Sequence, residues 1–588
     1  MSDKIVPLFK PSSSDIKNGK LLFIPLSGVE QIGMNFYAYG YNGKWLIVDF
    51  GMGFASEERG LEGVEILFSS PQFFAKQKNN IVGLVLTHAH EDHIGAIPYL
   101  WPELKCPIYG SHFTLGVLRE KLRETVFGRQ IPLKVFNKNE TLALAPFTIT
   151  PYSMPHSILE QQALLIEVGN GHDEKKLSII HTGDWKMDHD PLLGEHMDEA
   201  GLKNLATKNI LAVVSDSTNI FDSQPSVSEG SVKQGLIKTF QKIQNGDYRI
   251  DDQPLGMIIA TCFASNLERV FSIAHAAEQI GRKVAVVGRA FERYLKVAYD
   301  TGYWSQFPKS LQQALGEKDI KRIRRDNLVV IATGSQGETR GAVARISQCE
   351  HRTIKPTKGD YMLFSSRVIP GNEVAVAEIK NKLVQNGVRL LDVADEVDDI
   401  TLHASGHPTR HDLQQLYDWI KPKSLIPVHG EPRHLVEHID FAKKQCSIDY
   451  HIMPYNGAVI EISHNNDNPL KLIGYVNVDC LAKDGYDILS IKDQALAMRR
   501  NMAEAGTIMI SAVFISERIR EYQWSLFGIS LSGDQENQME KVVVRALEAV
   551  SHSAHKNKTE EELKKTIKRY MRKNFNKTPL VQIHFLYA

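Results

Sequence analysis

The apolar positions along the chain fall into two rhythms. Leu21-Leu22-Phe23-Ile24-Pro25-Leu26 is a continuous apolar run closed by Ser27-Gly28-Val29-Glu30, which predicts a buried strand and a turn. Residues 35–41 and 44–50 read as paired strands across Asn42-Gly43, a hairpin signal. Residues 81–87, Ile-Val-Gly-Leu-Val-Leu-Thr, form another buried strand that runs directly into a histidine cluster. Further strands are predicted at 108–109, 147–151, 164–168 and 177–181. Strands mixed with short helices predict a layered α/β domain.

From about residue 218 the rhythm changes. Residues 232–243, 266–280 and 291–301 carry helical patterning, and 256–261, 284–287 and 328–332 read as strands between them. Alternating strands and helices predict a parallel sheet in a separate α/β domain. Near Tyr361-Met362-Leu363-Phe364 the chain is expected to return to the first domain. The last stretch, from about 490, predicts a strand (507–515), two helices and a closing strand (580–586), a small α+β unit. No internal repeat or long low-complexity tract interrupts this order.

Composition narrows the class. At 588 residues the chain is too long for one core, so about two to four domains are expected. With 43% hydrophobic and 23% charged residues it reads as an ordinary globular protein. It has no apolar run long enough for a membrane span, and its N-terminal stretch lacks a signal peptide's apolar core. The five cysteines form no CxxC pair, which argues against a disulfide framework or a thiolate zinc site and fits a reducing cytoplasm. Zero formal net charge argues against a surface that clings to nucleic acid everywhere, while leaving room for a local basic groove.

The chemistry concentrates at His88-Ala89-His90-Glu91-Asp92-His93, directly after a predicted strand. On extended backbone His88 and His90 point the same way. Asp92 and His93 fall where the chain turns towards a helix, so their side chains can converge from another direction. Imidazole and carboxylate suit zinc, whereas magnesium or calcium takes mostly oxygen. Four donors in one short segment exceed what one tetrahedral ion needs, which points to two ions. His156 in Ser153-Met154-Pro155-His156-Ser157 and Asp184 in His181-Thr182-Gly183-Asp184-Trp185 each carry little alone. Their order and context add to the cluster.

That order, His88, His90, Asp92, His93, then His156, then Asp184, resembles the metallo-β-lactamase fold. Asp216 in Ser215-Asp216-Ser217-Thr218-Asn219, His407 in His403-Ala404-Ser405-Gly406-His407 and His429 in Pro427-Val428-His429-Gly430-Glu431 resemble the three motifs of its β-CASP branch, which acts on nucleic acids. Over nearly its whole length the chain is similar to the bacterial ribonuclease J family. The segments Gly28-Val29-Glu30-Gln31-Ile32-Gly33-Met34-Asn35, Ala260-Thr261-Cys262-Phe263-Ala264-Ser265-Asn266, Thr333-Gly334-Ser335-Gln336-Gly337-Glu338 and Ile369-Pro370-Gly371-Asn372-Glu373 carry that likeness.

The resemblance implies an α/β architecture: a metallo-β-lactamase αββα sandwich, an inserted β-CASP α/β domain and a small C-terminal α+β domain. The limits it implies are 1–217 and 358–462 for the two parts of the sandwich, 218–357 for the insert, 463–489 for a linker and 490–588 for the last domain. It implies one zinc ion on His88, His90 and His156, a second on Asp92, His93 and His429, and Asp184 as the bridge. Two zinc ions supply an activated water and stabilise charge on phosphoryl oxygens. Asp216 and His407 take proton-transfer roles.

The same resemblance gives Phe263, Ala264 and Ser265, with His403, Ala404, Ser405, Gly406 and His407, the task of gripping RNA and its 5′ end, assisted by Arg289 and Ser335. The Ala404-Ser405-Gly406 run offers backbone N–H groups and a hydroxyl suited to a phosphate. The implied activity is 5′-to-3′ exonuclease and endonuclease cleavage of single-stranded, 5′-monophosphorylated RNA, in RNA maturation and mRNA decay. The implied assembly is a homodimer or homotetramer.

Basic runs at 321–325 and 564–573 face RNA or solvent, the second reading better as a solvated helix face. Two stretches depart from the family pattern. Ile158-Leu159-Glu160 lacks the proline that members often carry, and Gly63-Val64-Glu65 with Ser69-Ser70 replaces an aspartate-rich pattern, leaving loop structure and any further ion there open. Three rivals stand beside this reading: a β-CASP nuclease preferring DNA, a small-molecule hydrolase such as a lactonase, and a non-enzymatic RNA-binding scaffold. The insert and the 403–407 loop argue against the second, and the complete ligand set against the third.

Overall fold

The computed structural model describes residues 8–9, 19–55, 61–169, 176–249, 253–393, 400–465, 468–515, 518–551 and 556–587. Most of the N-terminal stretch read for a leader lies outside them. The chain divides into two compact units, Met1–Gly53 with Phe68–Asp479, and Phe54–Leu67 with Cys480–Ala588.

The first unit contains two facing sheets. One has eight strands in the order Leu470–Tyr475, Ala458–Ile462, Leu21–Ser27, Phe36–Tyr41, Lys44–Val48, Ile81–Val85, Ile108–Gly110 and Leu133–Val135. The other has seven, in the order Tyr450–His451, Ser424–Val428, Ala212–Asp216, Leu177–His181, Gln162–Val168, Phe147–Ser153 and Leu142–Leu144. Phe23, Tyr39, Leu46 and Val85 from the first meet Ile149, Leu164, Ile179, Val214 and Ile426 from the second in one buried cluster. Each such side chain, fully buried, contributes about 1.5–3 kcal/mol. This is why the strands read as continuous apolar runs: all seven residues of Leu21–Ser27 and of Gln162–Val168 are buried. The hairpin predicted at Asn42-Gly43 is present, with φ of +47° and +76° that suit a primed turn.

Ala212–Asp216 and Ser424–Val428 lie side by side and parallel, with Asp216 opposite Val428. The chain leaves the sandwich after the first of these strands and re-enters it in the second. In between it builds a five-stranded, all-parallel sheet in the order Lys283–Val287, Leu328–Ala332, Ile258–Thr261, Tyr361–Phe364 and Arg389–Leu391. Helices Glu229–Asn245, Leu267–Gln279 and Arg289–Asp300 belong to this insert. Ser228 and Asn266 cap the first two by accepting from Ser231 N and Arg269 N.

Two expected limits do not match these pairings. Tyr361–Phe364 does not return to the sandwich; it pairs with Ile258–Thr261 inside the insert, because an apolar four-residue strand fits a doubly covered parallel sheet equally well. The stretch expected as a linker at 463–489 contains Leu470–Tyr475, which pairs with Ala458–Ile462 at the edge of the eight-stranded sheet. Antiparallel pairing of those two strands keeps this part of the stretch in the sheet.

The second unit has a three-stranded sheet, with Thr507–Ile515 in the centre, Arg518–Phe527 antiparallel on one side and Leu580–Tyr587 parallel on the other. Helices Gly533–Ser551 and Lys556–Phe575 cover one face, joining Ile508, Ile510, Phe514, Met539, Val543, Leu563 and Ile567 in a core. The strand Arg518–Phe527 and the helix Gln494–Ala505 had not been predicted; the strand's charged, half-exposed residues hide its alternation.

Among the described residues no helix is long and apolar enough to cross a membrane.

Candidate metal centre and active site

Strand ends at one edge of the sandwich carry the chemistry. Ile81–Val85 leads into His88–His93, Leu177–His181 into Asp184, Ala212–Asp216 ends on Asp216, and Ser424–Val428 is followed by His429. The parallel pairing of the last two strands therefore brings together residues separated by the whole insert. His429 sits in the left-handed region, φ +54°, and its N–H donates to Gly28 O at 2.6 Å.

Two groups of donors result. His88 Nε2 and His156 Nε2 each lie 3.1 Å from His90 Nδ1. Beside them, Asp184 Oδ2 is 3.1 Å from His93 Nε2 and 3.4 Å from His429 Nε2, and Asp92 Oδ2 is 3.5 and 3.1 Å from the same two nitrogens. His88 Nε2 is 3.9 Å from Asp184 Oδ2, so that carboxylate stands between the groups. Within each group the potential ligand atoms all lie within 4.8 Å of one another.

The outward nitrogen of every imidazole has its own partner, and this tests whether the residues fit a metal. His156 Nδ1 donates to Gly406 O, and His93 Nδ1 donates to Asp49 Oδ2 at 2.7 Å. Thr87 Oγ1 donates to Asp49 and so accepts from His88 Nδ1 at 3.1 Å. Thr218 Oγ1 donates to Asp216 and accepts from His429 Nδ1 at 2.6 Å. His90 Nε2 meets Ser265 Oγ at 3.0 Å. The first four arrangements leave the inward nitrogen with a free lone pair, the tautomer a metal ligand needs, and the Ser265 hydroxyl can accept to give the same at His90. The donor set, five imidazoles and two carboxylates, suits zinc.

Electrostatics agree. Burial pulls the pKa of His90 down to about 4 and those of His88 and His156 well below the ordinary value, so all three are neutral. Burial acts the same way on His93 and His429, but Asp184 and its neighbouring carboxylates reverse it. The field that draws protons to these two rings draws a cation equally.

Asp216 and His407 sit beside the second group. Asp216 Oδ1 accepts from Thr218 N and Oγ1 at 2.9 and 2.7 Å, and Oδ2 accepts from His407 Nδ1 at 2.8 Å. The His407 ring packs between His156 and His429, with centroids 5.3 and 5.4 Å away. Burial lowers its pKa, but the touching Asp216 carboxylate brings it above the ordinary imidazole value. The 403–407 loop is fixed by Asn219 Nδ2, which donates to Ser405 Oγ at 2.7 Å and His407 O at 3.1 Å. Gly406 is confined: a Cβ there would stand 2.7 Å from Ser157 Oγ and 2.8 Å from His156 Cε1.

The structure thus gathers His88, His90, Asp92, His93, His156, Asp184, Asp216, His407 and His429, with Ser265, Ser405 and Gly406 against them. Phe263 and Ala264 are half-buried in the same turn as Ser265, and Ala404 is buried. His403 points away, its Nδ1 buried and without a partner, and burial pushes its pKa down to about 3. Arg289 is exposed, Ser335 is buried, and no contact among the described residues joins either to the metal groups. In the run 321–325, Arg322, Arg324 and Arg325 pair with Asp319, Asp326 and Asp360, so these cations are neutralised locally. Lys564 pairs with Glu560 and Glu561 on its own helix.

Sequence reasoning missed Asp49 and Asn35. Asp49 is fully buried and organises Thr87 and His93, and Asn35 Nδ2 lies 3.3 Å from Asp92 Oδ2. An aspartate closing the apolar run Trp45-Leu46-Ile47-Val48 was the available signal. At the departure Ile158-Leu159-Glu160, where Leu159 stands in place of proline, the Glu160 carboxylate accepts from Phe113 N at 2.7 Å and Tyr303 OH at 2.9 Å. At the other departure, Ser70 Oγ caps the turn Pro71–Phe74 by accepting from Gln72 N.

The sandwich, its insert and this edge define a metallo-β-lactamase-superfamily hydrolase of the β-CASP type. Residues 33–172 match the metallo-β-lactamase superfamily, and 255–383 match the ribonuclease J β-CASP domain. Residues 393–453 match the Zn-dependent metallo-hydrolase RNA specificity domain, and 494–586 the ribonuclease J C-terminal domain. The chain is 36% identical to ribonuclease J of Sinorhizobium meliloti over 84% of its length and 83% of that protein. It is 29% identical to ribonuclease J of Thermus thermophilus over 95% of its length and 94% of that protein. With ribonuclease J of Helicobacter pylori it shares 29% identity over 95% of its length and 78% of that protein. The chain belongs to the ribonuclease J family and is a metal-dependent ribonuclease.

Proposed function

We propose that the chain removes nucleotides from the 5′ end of single-stranded, 5′-monophosphorylated RNA and also cuts internally, at a centre that holds two zinc ions. His88, His90 and His156 would hold one ion and Asp92, His93 and His429 the other, with Asp184 placed to serve both. The observation that carries this is the position of Asp184 Oδ2, within 3.1–3.9 Å of His93, His429 and His88 at once. When bound, the ions supply an activated water and charge stabilisation for a phosphodiester.

The chain's own residues do the rest. Asp216 fixes His407 with Nδ1 occupied, so its Nε2 is the atom that delivers a proton to the leaving sugar oxygen. Asp49, Thr87, Thr218, Ser265 and the Gly406 carbonyl hold the five imidazoles in one tautomer each. Ser265 meets His90 and Gly406 meets His156, and the turns Phe263–Ala264–Ser265 and Ala404–Ser405–Gly406 form the pocket for the 5′ phosphate. Recognition there rests on phosphate, stacking and 2′-hydroxyls rather than base edges.

Domain limits follow the strand pairings: a sandwich in two parts around an insert that extends through Arg389–Leu391, then the C-terminal α+β unit. The family pattern favours a homodimer or homotetramer acting in RNA maturation and mRNA decay. The five free cysteines fit the cytoplasm.

Digestion of RNA labelled at either end by purified, zinc-loaded protein tests the reading. Stepwise release of 5′ mononucleotides, faster from monophosphate than triphosphate ends, is expected. Cleavage of matched DNA alone, binding without any cutting, or equal rates on both ends would overturn it.

A further inference from the structure

Four charged side chains, Lys186, Asp188, Glu229 and Arg269, lie buried inside the first unit with the Glu268 carboxyl, between the sandwich and the insert. Lys186 Nζ is 2.8 Å from Asp188 Oδ2 and 3.4 Å from Glu229 Oε1. Arg269 holds Glu229 through Nε at 3.2 Å and Nη2 at 3.0 Å. Glu268 accepts from Leu192 N and Leu193 N at 2.6 and 3.1 Å. Removing charges from water costs several kcal/mol per ion, and a buried pair is a weak source of stability compared with apolar packing. Its product is a fixed geometry, and Arg269 shows which geometry is fixed.

Arg269 lies in the first turn of Leu267–Gln279, four residues after Ser265. Its Nη1 donates to Ser365 O at 2.6 Å, to Ser365 Oγ at 3.0 Å and to Leu402 O at 3.4 Å. Ser365 Oγ in turn donates to Leu402 O at 2.6 Å. Leu402 is the residue before the 403–407 loop. One guanidinium therefore reaches from the 263–265 turn to the root of the 403–407 loop. The far ends of both are anchored on the metal centre, Ser265 on His90 and Gly406 on His156.

We propose that Arg269 is a positioning residue: its guanidinium, with Ser365, sets the spacing between the two turns that receive the 5′ phosphate. It touches no substrate; it acts through Leu402 and the helix start. The inference rests on the reading of those turns as the 5′-phosphate pocket. A lysine can keep the charge against Glu229, but it lacks the planar fork that bonds Glu229, Ser365 and Leu402 together.

The test compares full-length, zinc-loaded wild type with Arg269→Lys and Ser365→Ala. Fluorescence anisotropy measures affinity for single-stranded RNA oligonucleotides with a cleavage-resistant phosphorothioate backbone, carrying either a 5′ monophosphate or a 5′ hydroxyl. Wild type is expected to prefer the phosphorylated end at least tenfold. Arg269→Lys should reduce that preference to below threefold, with 5′-hydroxyl affinity and zinc content within twofold of wild type. A general structural role would lower both affinities together. An unchanged preference in Arg269→Lys, or a parallel loss of both affinities, overturns the proposal. If wild type shows no preference, the pocket reading itself fails instead. Should Arg269→Lys not fold, Ser365→Ala, which keeps every ion pair, decides by the same criterion.

Discussion

Asp49→Asn isolates the role of a residue that touches no metal. Asp49 Oδ1 accepts from Thr87 N at 2.8 Å, while Oδ2 accepts from His93 Nδ1 at 2.7 Å and Thr87 Oγ1 at 2.8 Å. An asparagine has the same shape but only one acceptor oxygen. If that oxygen faces Thr87 N, the new NH2 meets His93 Nδ1–H. The imidazole must then carry its proton on Nε2, the nitrogen turned towards Asp92 and Asp184. If the oxygen faces His93, the Thr87 N–H at the buried strand end has no acceptor.

The second outcome leaves one buried donor unsatisfied, at about 1–3 kcal/mol, and the first puts a proton on the nitrogen whose electron pair a metal needs. That equals roughly a 10- to 100-fold loss in affinity at the Asp92–His93–His429 group, the range typical for a lost outer partner of a metal ligand. The His88 group is touched only through Thr87 and should lose less. Zinc stoichiometry against a graded chelator, read by mass spectrometry of the metal, should show one ion leaving early and cleavage recovering as free zinc is raised. Two zinc ions held within threefold of wild-type affinity would refute the argument that Asp49 sets the His93 tautomer.

Three further outcomes are expected. Asp184→Ala should abolish cleavage with the fold retained by circular dichroism, and activity with two zinc ions still bound would contradict the bridging assignment. Gly406→Ala places a Cβ 2.8 Å from His156 Cε1, so zinc content and cleavage should both fall at least about tenfold while melting temperature changes little. Burial, then Glu229, raises the Glu268 pKa from 4.5 to about 8, so the folded chain keeps a proton there that the unfolded chain releases. Stability from this group is greatest below about pH 4.5 and declines as pH climbs towards 8. Glu268→Gln should remove that decline, and a melting-temperature gap over wild type that fails to widen from pH 5 to pH 8 would count against it.

The sandwich strands were legible because both faces of each are covered, which leaves an uninterrupted apolar run in the sequence. The metal segment was legible because four of its donors sit within one turn of chain. What escaped depended on partners distant in sequence. Tyr361–Phe364 is apolar in any sheet, and only its pairing with Ile258–Thr261 says which. Asp49 looks like a strand-end aspartate until the fold sets it against His93. Arg324 and Arg325 look like a basic patch until Asp326 and Asp360 are placed beside them. The ion network around Arg269 was invisible for the same reason, since its charged members lie on three separate segments.

The place of the insertion accounts for how one fold could hold both the metals and the proposed reader of the RNA end. Asp216 ends one strand and His429 follows the next, and those strands are neighbours, so leaving between them costs the sandwich nothing in pairing. Everything built in the excursion must then start and finish within reach of the metal edge. The parallel strand Ile258–Thr261 points its carboxyl end towards that edge, delivering Ser265 to His90, and the return path delivers Gly406 to His156. In open parallel sheets ligands bind beyond the carboxyl ends of the strands. Here that position coincides with the strand ends that carry the proposed metal ligands, so on the proposed reading the substrate's end and its scissile bond fall to two sheets meeting at one edge. The spacing between them is then a property of the joint, and Arg269 with Ser365 is the part of the joint whose alteration should change where the RNA end sits before it changes how tightly zinc is held.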